Sequence, residues 1–345
     1  MTRILVLIVI ITAFSCQVKE KRTVGRSVYY WRSVFRLSEA DQKLLDSLKI
    51  GRVYVKFFDV AWDDLHRAIP VAQVNFETSV PPSLKVVPVV FITNETLKKS
   101  KEEEISLLAR RICRKILKIC KNHKIDSFPE MQIDCDWSDA TKDKYFSLLK
   151  ELRLQPGIDH RIEISATIRL HQVKYFTKTG VPPVDKGLLM FYNMSAVNNP
   201  ETSNSILDLK EAEKYVNASS TYPLPLDLAL PLFSWGVVYS DNKLKGLMNN
   251  LDRKTMDALP FLIPEKGRER TYRCSVDTVF LGNYFRKGDL LRAEGPEQDD
   301  LCKISEITGS LLKKDSLNVC LFHFDPILFN QYGHEKIDEV YNCYR

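Results

Sequence analysis

Two carboxylates, Asp134 and Asp136, lie two residues apart at the end of a short apolar run, within the segment 132–138 (QIDCDWS). In an extended strand alternate residues share a face, so both carboxylates point one way and Cys135 and Trp137 the other. Acidic residues are poor strand formers and costly to bury, so two on one face indicate a site that uses them, as an acid and base couple. The alternative is an ion-paired interior in which they are only structural.

Apolar strand-like runs alternate with helix-like stretches along the chain. The strand-like runs are 28–35, 52–60, 86–92, 131–137, 161–169, 187–194, 226–235 and 317–324. Helices are expected at 37–48, 101–123, 138–152, 171–177, 206–216 and 333–341. Ser38 is a suitable cap for the first of these helices. The long second helix carries an amphipathic pattern with apolar residues at helical spacing.

Eight strands alternating with helices predict an α/β fold, most simply a (β/α)₈ TIM barrel, spanning residues 27–345. A doubly wound open sheet is the alternative, but no glycine-rich phosphate loop follows the first strand. The stretch 236–314 is too long for one loop, and its 278–291 part is hairpin-like around Gly282. We therefore expect a small α+β insertion between strands seven and eight, covering one side of the barrel mouth.

Functional sites of this fold lie at the carboxyl ends of the strands, where carboxylates, aromatic rings and hydrogen-bonding groups converge in this sequence. Such a mixture suits a sugar, because aromatic faces stack on C–H surfaces while carboxylates and amides bind hydroxyls. Aromatic residues at strand ends can also serve as simple lids over a core. The candidate substrate-binding residues are Trp31, Arg32, Asp59, Trp137, Arg169, Tyr192, Asn193, Trp235, His323 and Asp325, beside the candidate catalytic pair Asp134 and Asp136.

Two short motifs carry a family resemblance. The run 134–137 (DCDW) resembles the strand-four core of the family 18, chitinase-like glycoside hydrolases, and 190–193 (MFYN) resembles their strand-six motif. The whole chain is also similar to bacterial lipoproteins that carry a glycoside-hydrolase-like TIM barrel. The resemblance implies a carbohydrate ligand or substrate and no cofactor.

The sequence departs from that family at Ser138, two residues past Asp136, where the resemblance implies the glutamic acid that protonates the glycosidic oxygen. A serine hydroxyl has a pKa far above that of a carboxylate and cannot donate this proton. If the barrel hydrolyses glycosides, its acid comes from elsewhere. The candidates for that acid are Asp136, Asp134, Asp59, Asp63 and Asp325.

Strand five alternates in the same way as strand four, since Glu163 and Arg169 share one face and aliphatic residues the other. An internal network of Lys56, Asp134, Glu163 and Arg169 would neutralise itself, which is the structural alternative for the acidic pair. Three functional classes therefore stay open: a glycan-active enzyme, a glycan-binding protein that lost its acid, and an envelope scaffold.

The amino terminus has the features of an export signal. A short basic start precedes an uncharged apolar run, 4–14, which is too short to span a bilayer but long enough for a signal-peptide core. The run 13–16 (AFSC) resembles a bacterial lipobox, which implies lipidation of Cys16, a signal at 1–16 and a tether at 17–26. Gln17 after the cysteine favours outer-membrane anchoring facing the periplasm. A cleaved secretory signal and an uncleaved anchor are the alternatives.

Composition excludes several function classes. The net charge of +6 is spread over 50 basic and 44 acidic side chains, and the densest basic run, 110–124, has apolar residues at helical spacing, so a nucleic-acid partner is not expected. No CxxC or HxxxH spacing occurs, so no metal site is predicted.

Cys113 and Cys120 are two helical turns apart and cannot bridge, whereas Cys274 and Cys302 are candidates for a disulfide. The sequence leaves the oligomeric state undefined.

Overall fold

The computed structural model describes residues 22–216, 221–312 and 315–345. The expected signal segment and the lipidation site Cys16 lie outside the described residues, so both stay predictions. Among the described residues, no helix combines the length and apolar character that crossing a membrane requires.

Eight parallel strands form the centre of the molecule. They are β1 Thr23–Tyr30, β2 Arg52–Asp63, β3 Lys85–Ile92, β4 Glu130–Asp134, β5 Glu163–Arg169, β6 Lys186–Met190, β7 Leu226–Pro231 and β8 Ser316–Phe322. Each strand pairs with the next in sequence, and β1 pairs in parallel with both β8 and β2, so the sheet closes on itself. The predicted (β/α)₈ barrel is confirmed, and the open-sheet alternative is wrong.

Helices surround this barrel. They are Glu39–Ser47, Asn94–Lys99, Ile105–Asn122, Lys142–Arg153, Leu170–Lys174, Phe176–Thr179, Leu209–Val216, Gln298–Thr308, Pro326–Tyr332 and His334–Asn342, with one turn of 3₁₀ helix at Glu102–Glu104. Ser38 caps the first helix by accepting from the backbone N–H of Asp41, as expected. The long helix buries its apolar stripe against the strands and begins four residues later than predicted, because the three glutamates before it form the 3₁₀ turn.

A buried charge network closes the amino end of the barrel. Glu130, fully buried at the start of β4, accepts from Arg52 at 2.8 Å and lies 2.8 Å from the ammonium of Lys186. Lys186 also contacts Glu163 at 2.9 Å and Asp227 at 3.2 Å. Buried ions require such compensation. The internal network therefore exists, but Glu163 is the one member that it shares with the expected set. Lys56, Asp134 and Arg169 lie at the opposite end.

The segment between β7 and β8 carries its own small sheet. Its strands are Trp235–Ser240, Lys243–Asn249, Leu262–Pro264, Thr271–Cys274 and Leu290–Glu294, with a short helix at Arg253–Asp257. The strands Thr278–Phe280 and Asn283–Phe285 form a hairpin whose turn residues Leu281 and Gly282 have positive φ. Two further short pairings flank the barrel. In these, Arg67–Val71 runs antiparallel to β2, and Val34–Phe35 pairs with Asn75–Phe76.

One disulfide joins the last two long helices. Cys302 pairs with Cys343, 41 residues later, so the expected Cys274–Cys302 pairing is wrong. Cys274 is instead a buried free thiol whose Sγ donates to the carbonyl of Val276 at 3.1 Å. As expected, Cys113 and Cys120 do not bridge, and both are buried.

Candidate functional site

The paired carboxylates lie at the carboxyl end of β4, where the fold places ligand sites. Asp134 ends the strand and is almost fully buried, with 3% exposure. The hydroxyl of Thr167, on the neighbouring strand β5, donates to its Oδ1 at 2.6 Å. Burial raises the pKa of Asp134 to about 6, while the charge of Arg169 and the hydrogen bond from Thr167 limit the rise. This carboxyl therefore changes protonation state close to neutral pH.

Asp136 differs from Asp134 in exposure and in partner. Its side chain is half exposed, and its Oδ1 accepts from Nε of Arg169 at 2.6 Å. Arg169 ends β5, so the parallel pairing of β4 and β5 brings the two groups together. No hydrogen bond to Oδ2 of Asp136 occurs among the described residues. One carboxylate oxygen is thus held by the barrel while the other faces the opening.

A second charged group lies within β2, where Asp59 pairs with Phe91 near the carboxyl end of β3. The ammonium of Lys56 is 3.0 Å from Oδ2 of Asp59 and 5.5 Å from the ring centre of Trp31. This cation–π contact fixes the ammonium between a carboxylate and an aromatic face. The strand is irregular between Lys56 and Phe58, and Asp59 follows this irregularity.

Aromatic side chains form a continuous floor across the mouth. Trp31 at the end of β1 packs against Phe322 at the end of β8, with ring centres 5.8 Å apart. Phe322 also contacts Tyr192 after β6 at 5.3 Å and Phe233 after β7 at 5.8 Å. Trp235 extends the row through Phe233 at 5.3 Å. Flat apolar surfaces beside carboxylates are a typical environment for a sugar ring.

Buried polar atoms without a partner concentrate at this end of the barrel. Among the described residues, five buried side-chain N or O atoms have no hydrogen-bond partner. Four of them lie toward the carboxyl end of the barrel: Oδ1 of Asp59, which pairs with Phe91 near the end of β3, Nε2 of Gln172, the hydroxyl of Tyr192 and Nδ1 of His323. Unsatisfied buried polar groups are rare in folded proteins. Of these four residues, Tyr192 also lines a cleft at this rim.

Tyr192 and His323 on this rim are neutral at pH 7. Burial raises the pKa of the Tyr192 phenol well above its usual range. Burial, followed by the charge of Arg32, lowers the pKa of His323. Tyr192 is therefore a hydrogen-bond donor, and His323 is a neutral imidazole that offers one donor and one acceptor.

A cleft of about 1140 Å³ opens from this rim. Asp136, Arg169, Tyr192 and Asn193 line its inner part, together with Ser138. With Trp137, which also lines the cleft, the structure thus brings together five of the predicted site residues. Ser138 is exposed, and its backbone N–H donates to the hydroxyl of Thr141 at 3.0 Å.

Trp137 contributes little accessible surface to the cleft, and Asp325 and Trp235 do not line it. Trp137 is 3% exposed, stacks on Tyr145 and donates to the carbonyl of Thr179, so mainly its edge reaches the cleft. Asp325 caps the helix that starts at Pro326 and pairs with Arg32. Trp235 donates to Glu294 at 2.7 Å.

Sequence reasoning missed Gln172, Phe233 and Phe322 as contributors to the rim. Phe233 and Phe322 fall inside the strand-like runs as ordinary apolar residues, and only the observed strand ends place them at the mouth. Gln172 accepts from the backbone N–H of Arg169 at 2.8 Å, a local contact that the sequence does not reveal. Among the described residues, no cluster of three or more His, Cys, Asp or Glu has metal-binding geometry.

The structure defines a (β/α)₈ barrel whose carboxyl rim carries carboxylates and aromatic side chains. No family model and no curated protein matches the chain. Solved structures do: the spore cortex-lytic enzyme SleL of Bacillus cereus aligns over 94% of this chain and 75% of its own, with 10% identity and a TM-score of 0.56. The Group IV chitinase of Ostrinia furnacalis, in complex with allosamidin, aligns over 93% of this chain and 98% of its own. The identity is 11% and the TM-score is 0.55.

A chitinase from Chromobacterium violaceum is similar to the same extent. It aligns over 92% of this chain and 98% of its own, with 8% identity and a TM-score of 0.52. At these identities the likeness concerns the fold alone. The distant similarity to family 18 barrels that the two motifs predicted is therefore confirmed as a similarity of architecture.

Proposed function

We propose that this protein binds a glycan at the carboxyl ends of its barrel strands and lacks the proton donor of the hydrolases that it resembles. The observation that carries the proposal is the cleft lined by Asp136, Arg169, Tyr192 and Asn193 at the carboxyl ends of the strands, beside an aromatic floor. The charged and amide groups can bind sugar hydroxyls, and the aromatic faces can pack on C–H surfaces of a pyranose.

The burial and the hydrogen-bond partners of the carboxylates on the rim favour binding over hydrolysis. Asp136 is tied to Arg169, and Asp134 lies beneath it, buried and bonded to Thr167. Ser138 occupies the place of the family's acid. General acid catalysis requires a protonated group within hydrogen-bond reach of the leaving oxygen. Among the residues that the structure describes on this rim, no exposed carboxyl free of a basic partner meets that requirement.

One observation favours a second candidate, a glycan-cleaving enzyme. The pKa of Asp134 rises to about 6, so a fraction of this carboxyl is protonated in mildly acidic solution and could supply a proton if the site opened around it. Cleavage by this route would show its highest rate near or below pH 6, and Asp134→Asn would abolish it.

The test is a screen of the chain from Arg22 onward against a panel of polysaccharides, with Asp136→Asn beside the wild type. We expect binding without release of reducing ends, and a binding constant at least about tenfold weaker in the variant, as for loss of a charged hydrogen-bond partner. Asp143→Asn is the matched control, because Asp143 is an exposed carboxylate on the helix Lys142–Arg153 that does not line the cleft. Reducing ends that appear with wild type but not with Asp134→Asn would establish the enzyme instead.

We further propose that the protein works outside the cytoplasm, tethered through Cys16 to the outer membrane and facing the periplasm. Two features support this proposal. The Cys302–Cys343 disulfide is a bond that persists in oxidising compartments. β1 begins at Thr23 on the amino end of the barrel, so a tether from there leaves the ligand cleft facing away from the anchor. Labelling of cells with a radioactive fatty acid, with Cys16→Ala as control, tests the anchor.

A further inference from the structure

We propose that the outer part of the cleft is a second sugar subsite built on Tyr175 and Tyr215, so that the ligand is an oligosaccharide rather than a single sugar. The inference rests on the proposed glycan-binding function. Neither tyrosine belongs to the strand-end motifs from which the inner site was derived.

The two tyrosines are brought together by the helices that follow β5 and β6. Tyr175 comes directly after the helix Leu170–Lys174, and Tyr215 lies in the helix Leu209–Val216. Both rings line the same cleft as Asp136. The cleft therefore runs without interruption from the barrel mouth to this aromatic pair.

Lys174 holds the two rings in place. Its ammonium lies 5.3 Å from the ring centre of Tyr175 and 5.2 Å from that of Tyr215. Among the described residues, Lys174 forms no ion pair with a carboxylate, so these cation–π contacts are its electrostatic partners. The ammonium covers only part of each ring. Tyr175 remains 48% exposed, which leaves apolar ring surface facing solvent.

An exposed aromatic pair with fixed orientation is a platform on which the C–H face of a sugar can pack. Polar groups for the sugar hydroxyls stand beside it. Lys178 and Asp139 line the same part of the cleft, with their charged groups 3.4 Å apart, and both are exposed. This combination repeats, at the outer end, the pairing of aromatic surface and charged hydrogen-bonding groups found at the barrel mouth.

The size of the cleft requires more than one ring to fill it. Ligand pockets of roughly 300–1000 Å³ bury most of a drug-sized molecule, and this cleft measures about 1140 Å³. A single sugar at the Asp136–Tyr192 end would leave the tyrosine pair in solvent. A chain of several sugars would cover both ends at once.

The experiment measures how affinity depends on ligand length, using the full chain and isothermal titration calorimetry. The probes are chito-, cello- and xylo-oligosaccharides, each as the disaccharide and the hexasaccharide. For the series that binds, we expect the wild type to prefer the hexasaccharide by about tenfold or more, which corresponds to one well-packed aromatic contact. Tyr175→Ala should remove most of this preference and leave disaccharide binding unchanged. Tyr175→Phe should keep the preference, because the ring and not the hydroxyl does the packing.

Tyr284→Ala serves as the matched control, since Tyr284 is a similarly exposed tyrosine, 50% accessible, on the hairpin outside the cleft. Lys174→Met should lower the length preference in part, because the rings lose the charge that orients them. An unchanged preference in Tyr175→Ala and Tyr215→Ala would overturn the subsite and leave the proposed function standing. If the wild type binds no member of any series, the proposed function and the subsite fail together.

Discussion

The guanidinium of Arg169 lies between two carboxylates of different character, with its Nε 2.6 Å from Oδ1 of Asp136 and its charge opposing the rise in the pKa of buried Asp134. Neighbouring like charges destabilise each other when no cation separates them. Arg169 therefore makes it possible for two acidic side chains to share one strand face at the barrel mouth.

Replacing Arg169 with methionine should raise the pKa of Asp134 further, because its opposing charge is gone, and should weaken the fold. Since Arg169 and Asp136 are partly exposed, the expected loss at pH 8 is about 2 kcal/mol, below the 3–5 kcal/mol typical of a fully buried pair. The loss should be smaller at pH 5, where Asp134 is largely protonated. Urea unfolding at both pH values measures this, and an equal loss at both would contradict it.

Asp134 should make the stability of the protein fall as pH rises. The pKa of Asp134 is raised in the folded state to about 6 from an ordinary value of 3.8. Its contribution is therefore fully present below about pH 4 and is lost as pH rises through 6. A shift of this size corresponds to about 3 kcal/mol. Asp134→Asn should be more stable than the wild type at pH 8 by an amount approaching this figure.

At pH 4 the difference between Asp134→Asn and the wild type should disappear, because Thr167 can donate to Oδ1 of either side chain. Urea titrations at half-unit pH steps would show the two stability curves separating between pH 4 and 7. Parallel curves across that window would show that Asp134 is not the titrating group.

The Cys302–Cys343 disulfide should stabilise the fold by restricting the unfolded chain. For a closed loop of 41 residues, the chain-entropy estimate is about 4 kcal/mol, as an upper value. Cys302→Ser/Cys343→Ser should unfold at a correspondingly lower urea concentration, and reductant should shift the wild type but not the variant. An effect of reductant on the variant would point instead to the five free cysteines in the described part of the chain, all of which are buried.

The sequence determined the barrel well because the strands of a parallel sheet under helices are long apolar runs, and eight of them alternate with amphipathic helices. It placed Asp136, Arg169 and Tyr192 at one rim for the same reason, since the carboxyl ends of parallel strands meet. The residues at which strands begin and end were predicted less accurately. The first strand was expected at 28–35, whereas β1 spans Thr23–Tyr30, because apolar character continues past its end into the aromatic rim.

Contacts between distant elements could not be read from local patterns. Lys186 and Asp227 sit at strand starts that looked apolar, and only barrel closure makes them partners of Glu130. The pairing of Cys302 with Cys343 depends on how the last helices pack, and Lys174 meets Tyr215 only because two helices are neighbours. Each of these depends on tertiary geometry rather than on residue spacing.

The inserted sheet is tied to the cleft wall by a buried ion pair, Arg292 and Glu294, each 1% exposed. Nε of Arg292 donates to Glu294 at 2.6 Å, and its other nitrogens donate to the carbonyls of Val197, Asn199 and Pro200 at 3.0–3.3 Å. Arg292 thus holds the loop that follows β6.

Glu294 holds the base of the same loop. Its Oε2 accepts from Trp235 at 2.7 Å and from the hydroxyl of Ser205. The carbonyl of Ser205 in turn accepts from the backbone N–H of Met194 at 2.9 Å, next to Asn193 in the cleft wall. Contacts therefore run without a break from the inserted sheet to the ligand cleft.

Glu294→Gln should loosen this wall, because it leaves the buried charge of Arg292 without a counter-ion and turns one accepting oxygen into a donor. We expect a loss of about 3 kcal/mol in the free energy of unfolding, and faster hydrogen exchange at the amide of Met194. Arg26→Met is the control, since it breaks the Arg26–Asp338 pair at the amino end of the barrel. That variant should lose stability without faster exchange at Met194. If hydrogen exchange at Met194 accelerates equally in both variants, exchange there depends only on the global stability of the fold. Glu294 would then have no specific part in holding the cleft wall.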